Sequence, residues 1–127
     1  MKDYKKYYQI PAPPEEVYAA LTNSLSIQLW TGEAVTMSTE PGSEFSLWDG
    51  SITGKNLEFE QDKKLVQQWY FGDENPESIV TIKLHYDKGN STSLELKHSN
   101  IPDTDYDDIV EGWNHAYIAG LLEFFGE

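Results

Sequence analysis

DTDYDDIVEGWNHAYIAGLLEFF, residues 103–125, is the stretch whose reading decides the fold. Ile109, Trp113, Ala116, Tyr117, Gly120, Leu121 and Phe124 recur at the i, i+3, i+4, i+7 spacing of one helical face. Thr104 and Asp107 have capping-box spacing, and Asp105, Asp107 and Asp108 place negative charge at the positive end of the helix dipole. At about 1.5 Å per residue, a helix of this length spans on the order of 30 Å, the width of a small domain. Its face is uneven. Trp113, Tyr117, Leu121 and Phe124 are bulky, whereas Gly112, Ala116 and Gly120 either admit a close neighbour or leave room for a ligand. Ile118, Leu122 and Phe125 add a second apolar stripe, to be met by burial or by a partner, so both a monomer and a homodimer are compatible with it.

Upstream, the sequence reads mostly as strands. Tyr4 to Ile10 is a first strand, and Pro13 and Pro14 open a helix carrying Val17, Tyr18, Ala20 and Leu21. Thr22-Asn23-Ser24 ends it, and Leu25 to Trp30 forms a second short helix closed by Thr31-Gly32. From Glu33 the period changes to two. A ragged strand is expected over Ala34 to Ser38, then strands over Glu44 to Trp48, Ser51 to Glu60, Lys64 to Phe71, Ser78 to Asp87 and Ser91 to Ser99. Asp49-Gly50 is a two-residue hairpin signal, and a bulge is expected at Gly54 because Ile52 and Leu57/Phe59 are out of phase. A loop covers Gly72 to Glu77. The outcome is one α+β domain over residues 1–127: a curved antiparallel sheet of six or seven strands wrapped around the C-terminal helix, with two short helices after strand one.

Composition narrows the function. The formal charge of −13 disfavours nucleic acid and anionic membranes as partners and favours solubility. No apolar run is long enough to span a bilayer, and MKDYKKYYQI lacks the core of a signal peptide, so a cytoplasmic location is expected. With no cysteine there are no disulfides, thiolate metal sites or Cys nucleophiles. His85, His98 and His115 lack ligand spacing, and the aspartates at 103–108 lack an EF-hand's Gly and distal Glu, so neither metal nor cofactor is expected.

Alternation sorts the strand faces. Val80, Ile82, Leu84 and Tyr86 share one face, as do Thr92, Leu94, Leu96 and His98, and as do Leu65, Gln67, Trp69 and Phe71. With these faces toward the helix, His98 and Gln67 point inward and His85 outward. A pocket between helix and sheet would then draw its ligand-binding residues from Trp30, Phe45, Gln67, Trp69, Tyr86, His98, Trp113 and Tyr117. The competing reading is that these aromatics fill the core.

The segments IPAPPEEVYAALT, PGSEFSLWDGSITGKNLEF, KLVQQWYF, SIVTIKL, LELKHSNIP and EGWNHAYIAGLLEFFG resemble the C-terminal domain of the activator of Hsp90 ATPase and its stand-alone relatives. These belong to the START/Bet v 1-like superfamily, and the resemblance implies the helix-grip fold. It also implies two functions. One is a non-enzymatic protein holding a small apolar or amphipathic ligand beneath the long helix. The other is a co-chaperone-like protein that binds an Hsp90-type chaperone through its surface. A cyclase- or dehydratase-type enzyme ranks third: His98 is the only inward acid–base candidate, and no nucleophile, zinc or phosphate-loop motif accompanies it, so no catalytic residue is assigned.

Overall fold

A computed structural model describes residues 1–72 and 77–126, so most of the loop expected over 72–77 lies outside the described residues. The strands are β1 (Lys2–Ile10), β2 (Glu44–Leu47), β3 (Ile52–Glu60), β4 (Lys64–Trp69), β5 (Ser78–Asp87) and β6 (Ser91–Ile101). They form one antiparallel sheet in the order β1-β6-β5-β4-β3-β2, with β1 and β2 at its edges. The expected strand over Ala34 to Ser38 reduces to a single bridge between Thr36 and Ser46.

Two short helices follow β1. In α1 (Pro14–Thr22), Pro14 occupies the first turn, where its missing N–H costs nothing, and Glu15 and Glu16 sit beside the unpaired amides. For α2 (Ser24–Thr31), the Asn23 side chain accepts from the Ser26 N–H at 3.0 Å, and Gly32 ends the helix at φ 75°. The C-terminal helix comprises α3 (Tyr106–Gly112), a π turn over Trp113–Tyr117, and α4 (Ile118–Phe124). It starts later than the sequence indicates. Asp105 stands at the N-cap without a side-chain cap bond, so the Thr104/Asp107 capping box does not form, although Asp107 and Asp108 remain in the first turn.

The inward faces follow the alternation. Val80, Ile82, Leu94, Leu96 and His98 are fully buried, as is Thr92, whose hydroxyl donates to the Ala12 carbonyl at 2.7 Å. Ile118 and Leu121 descend onto this face beside Val17, Leu21 and Ile27. Burying each such aliphatic side chain contributes roughly 1.5–3 kcal/mol. Leu122 and Phe125, from the second stripe, are partly buried against the same core, whereas Phe124 is exposed.

The register shift in β3 lies between Asn56 and Glu58, beyond the Gly54 position expected from the sequence. Gly54 answers a different demand. It pairs with Phe45 on one side and Trp69 on the other, and a Cβ there would lie 2.0 Å from the Gln68 carbonyl oxygen and 2.7 Å from the Phe45 ring. Two backbones and an aromatic ring converge where only glycine fits.

Candidate functional site

The N-terminal half of the long helix does not close fully on the sheet. A cleft of about 340 Å³ opens between α3 with its π turn and the β2–β3 hairpin, lined chiefly by Trp48, Ile52, Trp69, Ile109, Trp113 and Tyr117. The small helix residues differ in their surroundings. Gly112 and Ala116 line the cleft, and a Cβ on Gly112 would meet nothing within 4 Å. A Cβ on Gly120 would come within 3.0 Å of the Trp30 ring, so that end is closely packed. The π turn, closed by the Ile118 N–H on the Trp113 carbonyl, widens the helix where Trp113 and Tyr117 enter the cleft. Asn114 holds this turn to β1. Its amide donates to the Tyr4 hydroxyl at 2.9 Å and the Val110 carbonyl at 2.8 Å, while its oxygen accepts from the Tyr8 hydroxyl at 2.8 Å.

Trp69 and Trp113 stack at 4.7 Å with 20° between their planes. Each indole N–H is consumed by a buried acceptor. Trp113 Nε1 donates to His98 Nδ1 at 3.0 Å, and Trp69 Nε1 donates to Gln67 Oε1 at 3.1 Å. Gln67 passes its own amide to Asn56 Oδ1 at 3.0 Å, and Asn56 Nδ2 donates to the Ser38 carbonyl at 3.2 Å and to Ser43 Oγ at 3.1 Å. On the other side His98 Nε2 lies 2.8 Å from Ser78 Oγ, which lies 3.2 Å from the Ser99 carbonyl. Since Nδ1 accepts from the indole, Nε2 carries the proton and donates to Ser78, whose hydroxyl proton then goes to Ser99. Burial of the imidazole lowers its pKa from 6.5 to about 4, so it is neutral at physiological pH. These two chains orient the indoles and take the Trp69 and Trp113 N–H groups away from the cleft.

Trp48 and Tyr117 also line the cleft, and Trp30 packs against both. Trp30 meets Tyr117 edge-on at 5.0 Å, and Trp48 lies 5.8 Å from Trp30 and 6.1 Å from Tyr117. The Trp30 N–H is spent on the Ala20 carbonyl at 2.9 Å. Asp49 and Gly50 form the expected hairpin turn, both at positive φ, with the Ser51 N–H on the Trp48 carbonyl at 3.1 Å. Trp48 itself sits at φ 50°, a costly conformation for a bulky residue, and its indole lines the cleft. Burial raises the Tyr117 phenol pKa, so this hydroxyl stays protonated.

Of the residues singled out from sequence, Trp69, Trp113 and Tyr117 line the cleft. Gln67 and His98 are buried behind it as supports of the two indoles. Trp30 packs on Tyr117, and Phe45 is buried beside Gly54. Tyr86 is not brought to the group: it has the inward parity, but it is 71% exposed near the end of β5. His85 faces outward, with Nε2 2.8 Å from Glu95. The sequence reading passed over Trp48, Ile52, Ile109 and Asn56. A bulge at Gly54 puts Asn56 on the face opposite Leu57 and Phe59; the observed shift after Asn56 keeps it on the inward face with Gly54. Among the described residues, no group of three or more His, Cys, Asp or Glu could hold a metal, and no helix is long and apolar enough to cross a membrane.

With this geometry in view, the likeness to known proteins is specific. The family model described as activator of Hsp90 ATPase homolog 1-like protein matches residues 11–126. The human activator of 90 kDa heat shock protein ATPase homolog 1 is 28% identical over 89% of the chain and 34% of its own length. The activator of 90 kDa heat shock protein ATPase homolog from Dictyostelium discoideum is 30% identical over 98% of the chain and 33% of its own length. The chain thus spans about a third of these curated relatives. A crystal structure of an HSP90 activator from Plasmodium falciparum superposes with a TM-score of 0.89 at 26% identity, covering 99% of this chain and 97% of that one.

Proposed function

The chain belongs to the activator of Hsp90 ATPase homolog 1-like family, and from that premise we propose that residues 1–127 are one domain of a cytoplasmic, non-enzymatic binding protein. It holds a small apolar or amphipathic molecule between the C-terminal helix and the sheet. The observation that carries this reading is the cleft beside Gly112, walled by aromatic rings whose indole donors at Trp69 and Trp113 are turned to buried partners. Its volume of about 340 Å³ lies within the range of small-molecule sites, and tryptophans held by buried amide and imidazole acceptors are preorganised walls. His98 is fully buried with both ring nitrogens engaged, so it serves as a support rather than as an acid or base toward the cleft's contents.

The test is native mass spectrometry of the purified protein, followed by denaturing extraction. A co-purifying molecule of a few hundred daltons should be present on the native protein and absent from a folded Gly112→Leu variant, whose side chain occupies the cleft. Retention of the molecule by that variant would place it elsewhere.

A chaperone-directed role is the second reading, favoured by the end-to-end superposition on the Plasmodium falciparum HSP90 activator. Here the domain acts through its surface on an Hsp90-type chaperone. Pull-down of the Hsp90 from the source organism and stimulation of its ATPase test this role. Gly112→Leu should leave stimulation intact if the outer surface is used, and no binding at high micromolar concentrations would remove the reading.

A further inference from the structure

We propose that the cleft's ligand is an organic cation: an ammonium group, alkylated or free, carried on a small apolar body. This rests on the cleft being a ligand site and adds the charge of what it takes. The cleft is lined by the rings of Trp48, Trp69, Trp113 and Tyr117, and an aromatic face attracts a cation within about 6 Å, tryptophan most strongly. Two carboxylates line the same cleft from different elements, Asp108 from the first turn of α3 and Glu33 from the segment following α2. Among the described residues, neither forms an ion pair, and no Lys, Arg or His lines the cleft. The indole N–H groups of Trp69 and Trp113, which would have suited an anionic or carbonyl head group, are spent on Gln67 and His98. What remains at the cleft is the two carboxylates, the uncharged polar groups of Trp48, Ser51 and Tyr117, and aromatic surface, within a chain of charge −13. A fatty acid or an anionic metabolite would meet repulsion at the mouth and no donor side chain of positive charge inside. An ammonium meets carboxylates at the rim and rings beyond them.

The experiment compares two molecules of the same shape, (3-hydroxyphenyl)trimethylammonium and the neutral 3-tert-butylphenol. Binding is followed by tryptophan fluorescence and by the indole N–H shifts of Trp48, Trp69 and Trp113. The wild-type protein should prefer the cation by about tenfold, with the shifts confined to these indoles. The ratio should fall to within about threefold in an Asp108→Asn/Glu33→Gln variant. Equal affinities in the wild type would overturn the cation proposal while leaving the cleft as a binding site. Selectivity that survives the double substitution without moving the three indoles would overturn it as well, since the cation would then be held elsewhere on the acidic surface. Failure of both molecules to move any of the three indoles at millimolar concentration would sink the cation proposal together with the ligand reading beneath it.

Discussion

His98 is a buried base held in one tautomer between Trp113 and Ser78, and its stability contribution has a definite sign. Burial lowers its folded pKa to about 4 from 6.5, so the unfolded chain takes up the proton first as pH falls. The contribution is whole above the upper value, declines through the interval, and is spent near the lower one. It amounts to roughly 3 kcal/mol. Urea unfolding of the wild type and His98→Leu should therefore show a gap at pH 7 that narrows by pH 4.5. A gap independent of pH would mean that His98 does not titrate in this window. The bond from Trp113 can be probed separately. Trp113→Phe keeps most of the stack on Trp69 but leaves His98 Nδ1 without a donor, and an unpaired buried acceptor costs about 1–3 kcal/mol. Denaturant unfolding at neutral pH measures it, and a loss much below 1 kcal/mol would indicate that water or another donor reaches Nδ1.

Along the long helix, two glycines on one stretch should respond oppositely to the same substitution. Gly112 has ordinary helical angles of φ −60° and ψ −42°, and a Cβ there meets open space. Gly112→Ala should accordingly stabilise by about 0.5–1 kcal/mol through backbone entropy, while narrowing the cleft. At Gly120 the added carbon meets the Trp30 ring at 3.0 Å and the Trp30 carbonyl oxygen at 3.3 Å, with the indole pinned to Ala20. Gly120→Ala should lose stability, and thermal melts of the two variants side by side decide the matter. The opposite signs would show that Gly112 is kept at the expense of stability for the space it leaves, a trade expected at functional sites. In the sheet, Gly54→Ala should be severe, because the obstacle is the backbone carbonyl of Gln68. The sequence pattern located an irregularity in β3 correctly but assigned it to the wrong residue. Alternation reveals that a phase change has happened between Ile52 and Leu57. It does not reveal which residue is extruded, since that depends on the register with β4.

At the scale of the whole molecule, the fold was legible because long-period and short-period patterns separate cleanly: one face repeating over the C-terminal helix, and alternation through β4, β5 and β6. The candidate site was legible only in part. Residues that approach the cleft from the helix and the middle of the sheet, such as Trp113 and Trp69, announce themselves by parity. Trp48 and Glu33 lie in turns, where no period says which way a side chain points, and Tyr86 has inward parity without a covering layer. Charge was readable as a total, −13, but its consequence is collective. With 22 acidic against 9 basic side chains, like-charge repulsion across the surface opposes folding, and the few exposed ion pairs, such as Lys64 with Glu58 at 3.6 Å, offset little of it. Raising sodium chloride from 10 mM to 500 mM shortens the screening length from about 30 Å to below 5 Å and should raise the melting temperature, on the order of 3–5 °C. A fall would mean that attractive pairs outweigh the repulsion. The same salt should weaken the binding of (3-hydroxyphenyl)trimethylammonium, because Asp108 and Glu33 are screened where they meet it. Loss of this salt effect on affinity in the Asp108→Asn/Glu33→Gln variant, with the rise in melting temperature kept, would separate the two carboxylates at the cleft from the field of the whole surface, whereas an affinity that rises with salt would remove electrostatic attraction from the binding.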